Sequence, residues 1–424
     1  MEHKTNTIPI KDRPNPKLGV IPDGWSLKTL DEIGSFSKGK GVSKSEILES
    51  SDVGYSCVRY AEIYTKYHNY TDAFESRIND ESAKNSNEIK YGDILFAGSG
   101  ETLEDIGKAI AYLGKEKAYA GGDIIIFRQE NEDSKYLSFL MNNDFVRSQL
   151  HKLGQGHSVV HIYGKSLKKV KIPIPPLPEQ QEIAKILATW DVAINKQVAI
   201  IAEKLELKRG LKLQLLNGKK RFKGFKGDWL NTKLGKLTTI KAGGTPSKAK
   251  PEYWGGNIRW MNSGELNLKK VSEVEGRINE LGLKNSSTSI LPKYCVLIGL
   301  AGQGKTRGTA AINLVELCTN QSVAAVLPSE DFDSFFMYFL IDSKYELLRQ
   351  LSAGDGGRGG LNLKILNSIK VLIPEIEEQK KIAEVLTAAD NEITALQEQL
   401  QKLKTQKQGL MQQLLTGKIR VNTN

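Results

Sequence analysis

The segment GLAGQGKT, from Gly299 to Thr306, has the spacing of a phosphate-binding loop, G-x-x-x-x-G-K-[ST]. In such a loop a strand leads into a helix, whose first backbone amides hold nucleotide phosphates. The preceding YCVLI can form a strand, but the following RGTAAINLVELCTN contains short apolar runs that suit strands and shows no helical period. We therefore interpret the segment as a glycine-rich connection between strands and expect no nucleotide hydrolysis by this chain.

Other motifs that could indicate catalysis are incomplete. FAGSG, from Phe96 to Gly100, is similar to a glycine loop of methyltransferases, but the N-P-P-[FYW] segment that would hold a target amine does not occur in the sequence. His157 and His161 are four residues apart without further ligands nearby, and the three cysteines form no C-x-x-C pair. We therefore predict no catalytic residue, no metal site and no cofactor bound by this chain.

The elements that would position any site occur twice in the sequence. IPIPPLPEQQEIAKILATWDVAI, which starts at Ile172, matches VLIPEIEEQKKIAEVLTAADNEI, which starts at Val371. Asp191 corresponds to Asp390, a shift of 199 residues, and the same shift aligns GLKLQLLNGKKR with GLMQQLLTGKIR further along. Such an ungapped match indicates a duplicated chain.

The regions before these segments also correspond, although less closely. GWSLKTLDEIGSFSKGKG, from Gly24, is similar to DWLNTKLGKLTTIKAGGT, from Asp228. The counterpart of GLAGQGKT is DILFAGSGETLEDIGKAIAYL, from Asp93, which has the glycines but no Gly-Lys-Thr. This difference is a second reason to interpret the loop as a strand connection.

The matched segments have the apolar period of coiled-coil helices, with alternating steps of four and three residues. In the second segment this series is Ile382, Leu386, Ala389, Ile393, Leu396, Leu400, Leu403, Leu410 and Leu414, interrupted at Lys407. Gly218 and Gly417 stand where a C-terminal glycine ends a helix. Each helix would be roughly 60 Å long at 1.5 Å per residue, and the two can bury each other's apolar seams. Two separate helices, each lying on its own domain, are the alternative. Gly210 and Gly409, inside the helices, we attribute to close helix contact.

The positive charge lies outside these helices. The formal net charge is +11. Residues 178–217 hold six bases and five acids, and residues 377–416 hold five bases and six acids. The globular halves therefore carry the surplus, which indicates a polyanionic partner, most simply nucleic acid. A basic protein without such a partner is the alternative.

Candidate DNA-contacting residues are polar side chains on the glycine-rich stretches. Arginine, asparagine and glutamine can read base edges, and lysine contacts phosphates. In the first half the candidates are Lys38, Lys40, Arg59, Tyr60, Gln155 and His157. In the second half they are Thr245, Ser247, Lys248, Asn262, Gln303, Lys305, Arg307, Arg358 and Asn362. The alternative for each is an ordinary solvated loop residue.

A set of paired motifs points to one protein family. The halves open with IPDGWSLKTLDEIG and GDWLNTKLGKL, and the second continues with KAGGTPSK and YWGGNIRWMNSGEL. The helices begin with IPIPPLPEQQEIAKIL and IPEIEEQKKIAEVL and close with QLLNGKKR and QLLTGKIR. In these motifs the chain resembles the specificity subunit of type I restriction–modification systems. The second helix start departs from the pattern, with Glu in place of the second Pro.

The resemblance implies an α+β fold: two similar mixed α/β target recognition domains, each followed by a long helix, the helices pairing as an antiparallel coiled coil with pseudo-two-fold symmetry. The expected division is a flexible tail over 1–20, recognition domains over 21–177 and 218–376, spacer helices over 178–217 and 377–416, and a C-terminal tail over 417–424. The spacer and partner-docking residues on the helices would be Glu179, Gln180, Ile183, Leu187, Asp191, Glu378, Gln379, Ile382, Leu386 and Asp390.

The resemblance also implies partners. These are double-stranded DNA, two modification subunits that carry S-adenosylmethionine and methylate adenine, and, where present, two restriction subunits that use ATP and Mg. The protein would be cytoplasmic and would itself catalyse nothing.

The repeat further predicts a bipartite DNA target, with matched outer helix faces that bind two copies of one partner. A nucleotide-driven or methylating enzyme and a plain interaction scaffold are the competing interpretations.

Overall fold

The computed structural model describes residues 19–49, 53–103, 105–156, 159–302, 304, 306–352 and 360–423. The chain forms two compact units. The first consists of residues 1–197 and 399–424, and the second of residues 198–398. Each unit therefore contains one mixed α/β domain together with portions of two long helices, because those helices continue from one unit into the other.

The first unit contains a five-stranded sheet, a four-stranded sheet and two small two-stranded pairs. The strands are β1 (Ser26–Thr29), β2 (Gly34–Lys38), β3 (Tyr55–Val58), β4 (Tyr70–Thr71), β5 (Ser76–Ile78), β6 (Asn87–Ile89), β7 (Ile94–Ala97), β8 (Ser99–Gly100), β9 (Ala109–Tyr112), β10 (Ala118–Ala120), β11 (Ile124–Gln129), β12 (Val160–His161) and β13 (Lys171–Ile174). The helices are α1 (Tyr60–Thr65), α2 (Asp80–Lys84), α3 (Ser134–Met141), α4 (Asp144–Leu153), α5 (Gly164–Leu167) and α6 (Leu177–Leu215).

The second unit repeats the main features of this arrangement. Its strands are β14 (Leu230–Lys233), β15 (Ile240–Ala242), β16 (Trp254–Met261), β17 (Lys270–Val271), β18 (Arg277–Ile278), β19 (Val296–Gly299), β20 (Ala310–Asn313), β21 (Cys318–Thr319), β22 (Val323–Val326) and β23 (Lys370–Ile373). Its helices are α7 (Leu234–Leu237), α8 (Glu280–Lys284), α9 (Ser334–Ser343), α10 (Tyr345–Leu351), α11 (Leu363–Ser368) and α12 (Ile376–Leu414).

The five-stranded sheets of the two units have the same topology. Their strand orders are β2-β11-β7-β9-β4 and β15-β22-β19-β20-β17, and in both the last edge strand alone runs parallel to its neighbour. The central strands are continuous apolar runs such as ILFA in β7 and VLIG in β19, fully buried because both faces of the sheet are covered. This shared order confirms the duplication at the level of the fold.

The segment GLAGQGKT connects two antiparallel strands. β19 pairs with β20, and Ile298 lies opposite Ala310. No helix begins after Gly299 in the described part of the segment. The prediction of a strand connection is therefore confirmed, and the helix start that a phosphate-binding loop requires is not found there.

The two long helices contain 39 residues each and pair antiparallel within each unit. In the first unit Asp191 contacts Lys407 and Gln197 contacts Gln399. Residue numbers therefore increase along α6 in the direction in which they decrease along α12, so the two helices are antiparallel. In the second unit Lys208 contacts Asp390. The helices end at glycines with positive φ, since both Gly218 and Gly417 have a φ of 70°.

One sequence-based explanation is wrong. Gly210 and Gly409 were expected to allow close helix contact, but a Cβ placed on either glycine would have no neighbouring atom within 4 Å. The sites are open, so contact within the chain does not require glycine at these positions.

Candidate nucleic-acid interface

Most of the predicted DNA-contacting residues that the structure describes lie at one end of the five-stranded sheet. In the first unit this is the end where β2 and β7 finish and β11 begins: Lys38 of β2 lies opposite Ile125, and Ala97 of β7 lies opposite Ile124. In the second unit the equivalent register places Ala242 opposite Ala324. Loops that are distant in sequence converge here because antiparallel neighbours start and finish at the same end.

In the first unit Lys38, Lys40 and Gln155 belong to this end of the sheet. Lys38 is exposed at the end of β2, 3.7 Å from a carboxylate oxygen of Asp123. The exposed Lys40 donates its backbone amide to the Ala120 carbonyl at 3.0 Å. Gln155 exchanges two backbone hydrogen bonds with His161, at 2.9 and 2.8 Å. The loop after β2, which contains Lys40, and the loop after α4, which contains Gln155, therefore both border this end of the sheet.

Arg59 and Tyr60 begin helix α1 close to the same loops, since the Gly121 amide donates to the Val58 carbonyl at 2.9 Å. The Arg59 backbone amide and its guanidinium Nε donate to Glu62, at 3.0 and 3.4 Å. The pKa of Glu62 is lowered: burial alone would raise it, but hydrogen bonds from Ser76 and Arg59 outweigh burial. Arg59 therefore has a structural contact that competes with a DNA contact.

In the second unit Thr245 and Asn262 meet the turn that follows β21. Thr245 hydrogen-bonds to the Gln321 side chain, and the Asn320 amide donates to the Met261 carbonyl at 3.0 Å. Asn262 is exposed and caps the 3₁₀ turn Ser263–Leu268 by accepting from the Gly264 amide at 2.8 Å. Its position corresponds to that of Arg59. Arg59 stands between β3 and the start of α1, and Asn262 stands between the equivalent strand β16 and the start of the 3₁₀ turn.

Ser247 and Lys248 extend from the same loop of the second unit. Both are exposed. The Ser247 carbonyl accepts a hydrogen bond from the Trp254 indole at 3.2 Å, which holds this part of the loop against the sheet. The lysine side chain is therefore presented on an anchored backbone.

Arg307 lies within the β19–β20 connection, and Asn362 lies beside it. Arg307 is partly buried, and its Nε has no hydrogen-bond partner among the described residues. Asn362 is exposed and accepts from the Ile365 amide at 3.0 Å, which caps α11. The neighbouring Leu361 amide donates to the Leu300 carbonyl at 3.0 Å, so α11 and the strand connection are in contact.

Four predicted DNA-contacting residues fall outside the described part of the chain. They are His157, Gln303, Lys305 and Arg358.

Tyr163 and Lys165 lie beside the same end of the first unit's sheet and are not among the residues predicted from the sequence. Both are exposed at the start of α5, and Tyr163 precedes α5 as Asn362 precedes α11. The adjacent hydrogen bonds match as well, since Ile162 donates to Gly98 as Leu361 donates to Leu300. The 199-residue shift of the repeat aligns Tyr163 with Asn362.

The repeated glutamine at each helix start fastens the helix to its own domain. The Gln180 carbonyl oxygen accepts from the Asp133 amide at 2.8 Å, and its amide donates to the Pro175 carbonyl at 2.9 Å. Gln379 makes the matching bonds to Asp333 and Pro374, at 2.9 and 2.8 Å. The conserved spacing of Pro and Gln in the two copies thus has a direct geometric cause.

The glutamate before each glutamine accepts a bidentate arginine. Arg420 donates from Nε and Nη2 to Glu179 at 2.6 and 2.8 Å, and Arg221 donates in the same way to Glu378 at 3.0 and 2.7 Å. Both carboxylates are buried. The pKa of Glu179 is lowered, because bonds from Arg420 and the Trp25 indole outweigh the burial that would raise it.

The ten helix residues expected to dock partners have mainly internal roles. Eight of them are at most 2% exposed: Glu179, Gln180, Ile183, Leu187, Glu378, Gln379, Ile382 and Leu386. Asp191 and Asp390 are paired with lysines of the opposite helix in their own units. The buried eight connect the helices to the domains, so their side chains are not available for direct contact with a partner.

The outer faces of the two helices are not matched, contrary to expectation. Six exposed apolar residues of α6 have polar counterparts at the 199-residue shift in α12. The pairs are Val192 and Asn391, Val198 and Gln397, Ile200 and Gln399, Leu205 and Lys404, Leu207 and Gln406, and Leu213 and Gln412. A partner that contacts both faces would meet two different surfaces.

Among the described residues, no cluster of three or more His, Cys, Asp or Glu side chains could hold a metal ion. No described helix is long and apolar enough to span a bilayer.

Comparison with known proteins agrees with this architecture. The putative type I restriction enzyme MjaX specificity subunit of Methanocaldococcus jannaschii is 27% identical over 431 residues, with 96% of each chain covered. The EcoR124I/EcoR124II specificity subunit of Escherichia coli is 30% identical over 253 residues, which cover 58% of this chain and 61% of that one. The crystal structure of the type I restriction–modification system S subunit from M. genitalium superposes with a TM-score of 0.60 at 16% identity, covering 95% of this chain and 98% of that one.

A family model described as the type I restriction modification DNA specificity domain matches residues 22–204 and, separately, residues 226–405. The two matches coincide with the two repeats that share a sheet topology and a long helix. The chain therefore belongs to the type I restriction–modification DNA specificity family and carries the family's domain twice.

Proposed function

We propose that this chain reads a bipartite double-stranded DNA target and directs adenine methylation by two modification subunits, and cleavage where restriction subunits are present. S-adenosylmethionine, ATP and Mg would be bound by those partners, and this chain would be a non-catalytic cytoplasmic subunit. The observation that carries the proposal is the double occurrence of the specificity domain, each copy with polar loops at one end of its sheet.

The charge distribution supports DNA as the ligand. The helices are electrically balanced, so the surplus of +11 belongs to the rest of the chain. Lys38, at the end of β2, and Lys40 and Lys248, on loops, are exposed at the equivalent sheet ends. Lysines of this kind neutralise phosphates and position a duplex, whereas Arg307 and Asn362 have the donor and acceptor groups that read base edges.

The divergence between the units supports two different half-sites. Arg59 in the first unit corresponds to Asn262 in the second, and Tyr163 corresponds to Asn362. Because these side chains present different hydrogen-bond patterns, the two domains would specify unrelated blocks of sequence.

The test is to map methylated adenines in DNA from cells that carry this chain and its modification subunits. We expect two short specified blocks separated by an unspecified gap, with the methylated adenines in the blocks. Replacing the first recognition domain by that of another family member should change one block and leave the other intact. A continuous target, or a target unaffected by the exchange, would contradict the proposal.

A second experiment addresses the enzyme alternative. The purified chain is titrated with ATP and with S-adenosylmethionine in a calorimeter, and the assembled complex serves as the positive control for the latter. We expect no binding by the chain alone. Saturable binding of either compound to the chain would favour the nucleotide-driven or methylating interpretation.

A further inference from the structure

A cavity of about 280 Å³ opens beside the sheet end of the first unit, between β2 and the loop that enters α5. We call it the α5 cavity. Phe36, Ile125 and Ile162 supply most of its apolar lining, and Gly98 and Gly164 keep it open. A Cβ on Gly164 would come within 3.4 Å of the Phe36 Cβ and would reduce the space. The cavity therefore has an apolar interior that could receive a flat ring.

Two aromatic rings stand at one side of the α5 cavity. The His161 and Tyr163 rings are 6.4 Å apart between centroids, with planes inclined by 22°. His161 is fixed by a 2.9 Å hydrogen bond between its Nδ1 and the Ser99 hydroxyl. Tyr163 is 52% exposed. An exposed aromatic side chain at the mouth of an apolar cavity is available for stacking with a ligand.

The rim of the α5 cavity is basic. It carries Lys38, Lys165 and Lys168, and the one acid among its described lining residues is Asp123, which lies 3.7 Å from Lys38. Lys168 also contacts Asp31, at 2.8 Å. The side chains of Lys38 and Lys168 remain 68% and 47% exposed, so neither ion pair removes the amine from solvent. The rim can therefore bind an anionic group while a ring occupies the interior.

A ligand with a flat ring and an adjacent anion fits both parts of the cavity, and a nucleotide has this chemistry. The volume lies at the lower limit for small-molecule sites of roughly 300 Å³, so it suits one base and not a base pair. A base inside a concave pocket has left the helical stack. We propose that the α5 cavity receives one unstacked nucleotide of the bound DNA, with its base against Tyr163 and its phosphates near the lysines. This inference rests on the proposed function.

The test uses the full chain assembled with its modification subunits and a duplex that contains the target found by methylation mapping. 2-Aminopurine, whose fluorescence rises when it is unstacked, is placed in turn at each position in and beside the first half-site. We expect one position to brighten on binding besides the methylated adenine, which the modification subunits must themselves extrude. Tyr163→Ala should abolish that signal and weaken binding roughly ten- to a hundred-fold, the range for loss of a base-stacking aromatic.

Two variants control for folding. Tyr163→Phe retains the ring and should keep both the signal and the affinity. Tyr91→Ala removes another exposed tyrosine of the same unit, which is 69% exposed and does not line the α5 cavity, and should change neither. Each variant is first compared with the wild type by thermal melting.

The outcomes separate the possible sources of the nucleotide. Binding of adenosine monophosphate to the wild-type complex without DNA, together with no brightening at any duplex position other than the methylated adenine, would show a free-nucleotide site and overturn the inference. Normal DNA affinity with unchanged signals in Tyr163→Ala would also overturn it, while leaving the proposed function intact. Failure of the wild-type complex to bind any target duplex would contradict the proposed function itself.

Discussion

At the scale of single residues, Arg307 is the sharpest candidate for base readout in the second unit. Arg307 lies in the β19–β20 connection, and its Nε is buried without a hydrogen-bond partner among the described residues. We predict that Arg307→Ala weakens binding of the target duplex by about 1–3 kcal/mol and relaxes specificity in one block only. Titrations of labelled duplexes with single-base changes measure both effects.

The matched control for Arg307 is Arg209→Ala, which removes an arginine whose side chain is 75% exposed on α6, outside the recognition domains. It should leave the base preferences unchanged. If Arg307→Ala alters neither affinity nor preference, Arg307 is an ordinary loop residue.

A second prediction at this scale concerns the Glu179–Arg420 ion pair and the pH dependence of stability. The pKa of Glu179 in the folded chain is below its ordinary value of 4.5, so the pair stabilises the fold above that value. The contribution is lost as pH falls through the lowered folded pKa. At pH 7 Arg420→Met should cost about 1–3 kcal/mol, because it leaves a buried carboxylate without its main donor.

The difference in free energy of unfolding between wild type and Arg420→Met should therefore become smaller below about pH 4.5. Urea unfolding at several pH values measures this difference. Lys418→Met removes a nearby exposed cation and should show little effect at any pH. If the difference in free energy of unfolding does not depend on pH, ionisation of Glu179 is not the source of the stabilisation.

At the scale of elements, the antiparallel helix pair depends on two lysine–aspartate contacts related by the repeat. Lys407 is only 8% exposed, with its amine on Asp191 and 5.0 Å from the centre of the Phe139 ring. Asp191→Ala leaves this cation buried without its carboxylate. Breaking a fully buried pair costs about 3–5 kcal/mol, and we expect about 2 kcal/mol here because Asp191 is partly exposed.

The double variant Asp191→Leu with Lys407→Leu should recover most of that stability, since an apolar pair suits the seam. Glu182→Ala, which breaks the exposed pair with Lys185, serves as the control and should cost less than about 1 kcal/mol. Urea unfolding followed by helical circular dichroism compares all four proteins. A double variant less stable than Asp191→Ala would contradict this account.

Gly210 and Gly409 allow a simple test of helix energetics. Both lie within helices and have open space at the Cβ position. Each Gly→Ala change should stabilise the isolated chain by up to about 1 kcal/mol, because alanine has less backbone entropy to lose. Thermal melting measures the change. Destabilisation would show that a Cβ at these positions contacts other atoms of the folded chain.

At the scale of the whole molecule, the proposed bipartite target makes helix length a determinant of the gap. Insertion of one heptad into both helices keeps the seam in phase and lengthens each by about 10 Å, or roughly three base pairs of DNA. We predict that the methylated target keeps both blocks and has a longer gap. Methylation mapping measures the gap, and a four-residue insertion, which rotates the seam, is the control expected to impair assembly.

If the heptad insertion preserves methylation but leaves the length of the unspecified DNA gap unchanged, the helices do not act as a spacer.

The sequence by itself determined the duplication, the two long helices, their glycine ends and the absence of a helix after GLAGQGKT. The duplication is visible in the sequence as a match at a shift of 199 residues. The other features are local, because a helical period, a glycine at a helix end and a strand-like run each depend on neighbouring residues. The seam positions Ile183 and Leu187 were identified for the same reason, and both are fully buried.

Only the tertiary structure decided what Glu179 and Gln180 do, because their partners Arg420 and Asp133 are 241 and 47 residues away. It also brought Lys38, His161 and Tyr163 around one cavity, which no spacing in the sequence indicates. Side chains of this kind are placed by strand pairing between distant segments, and such pairing is encoded by complementary packing across the whole domain, not by any local pattern.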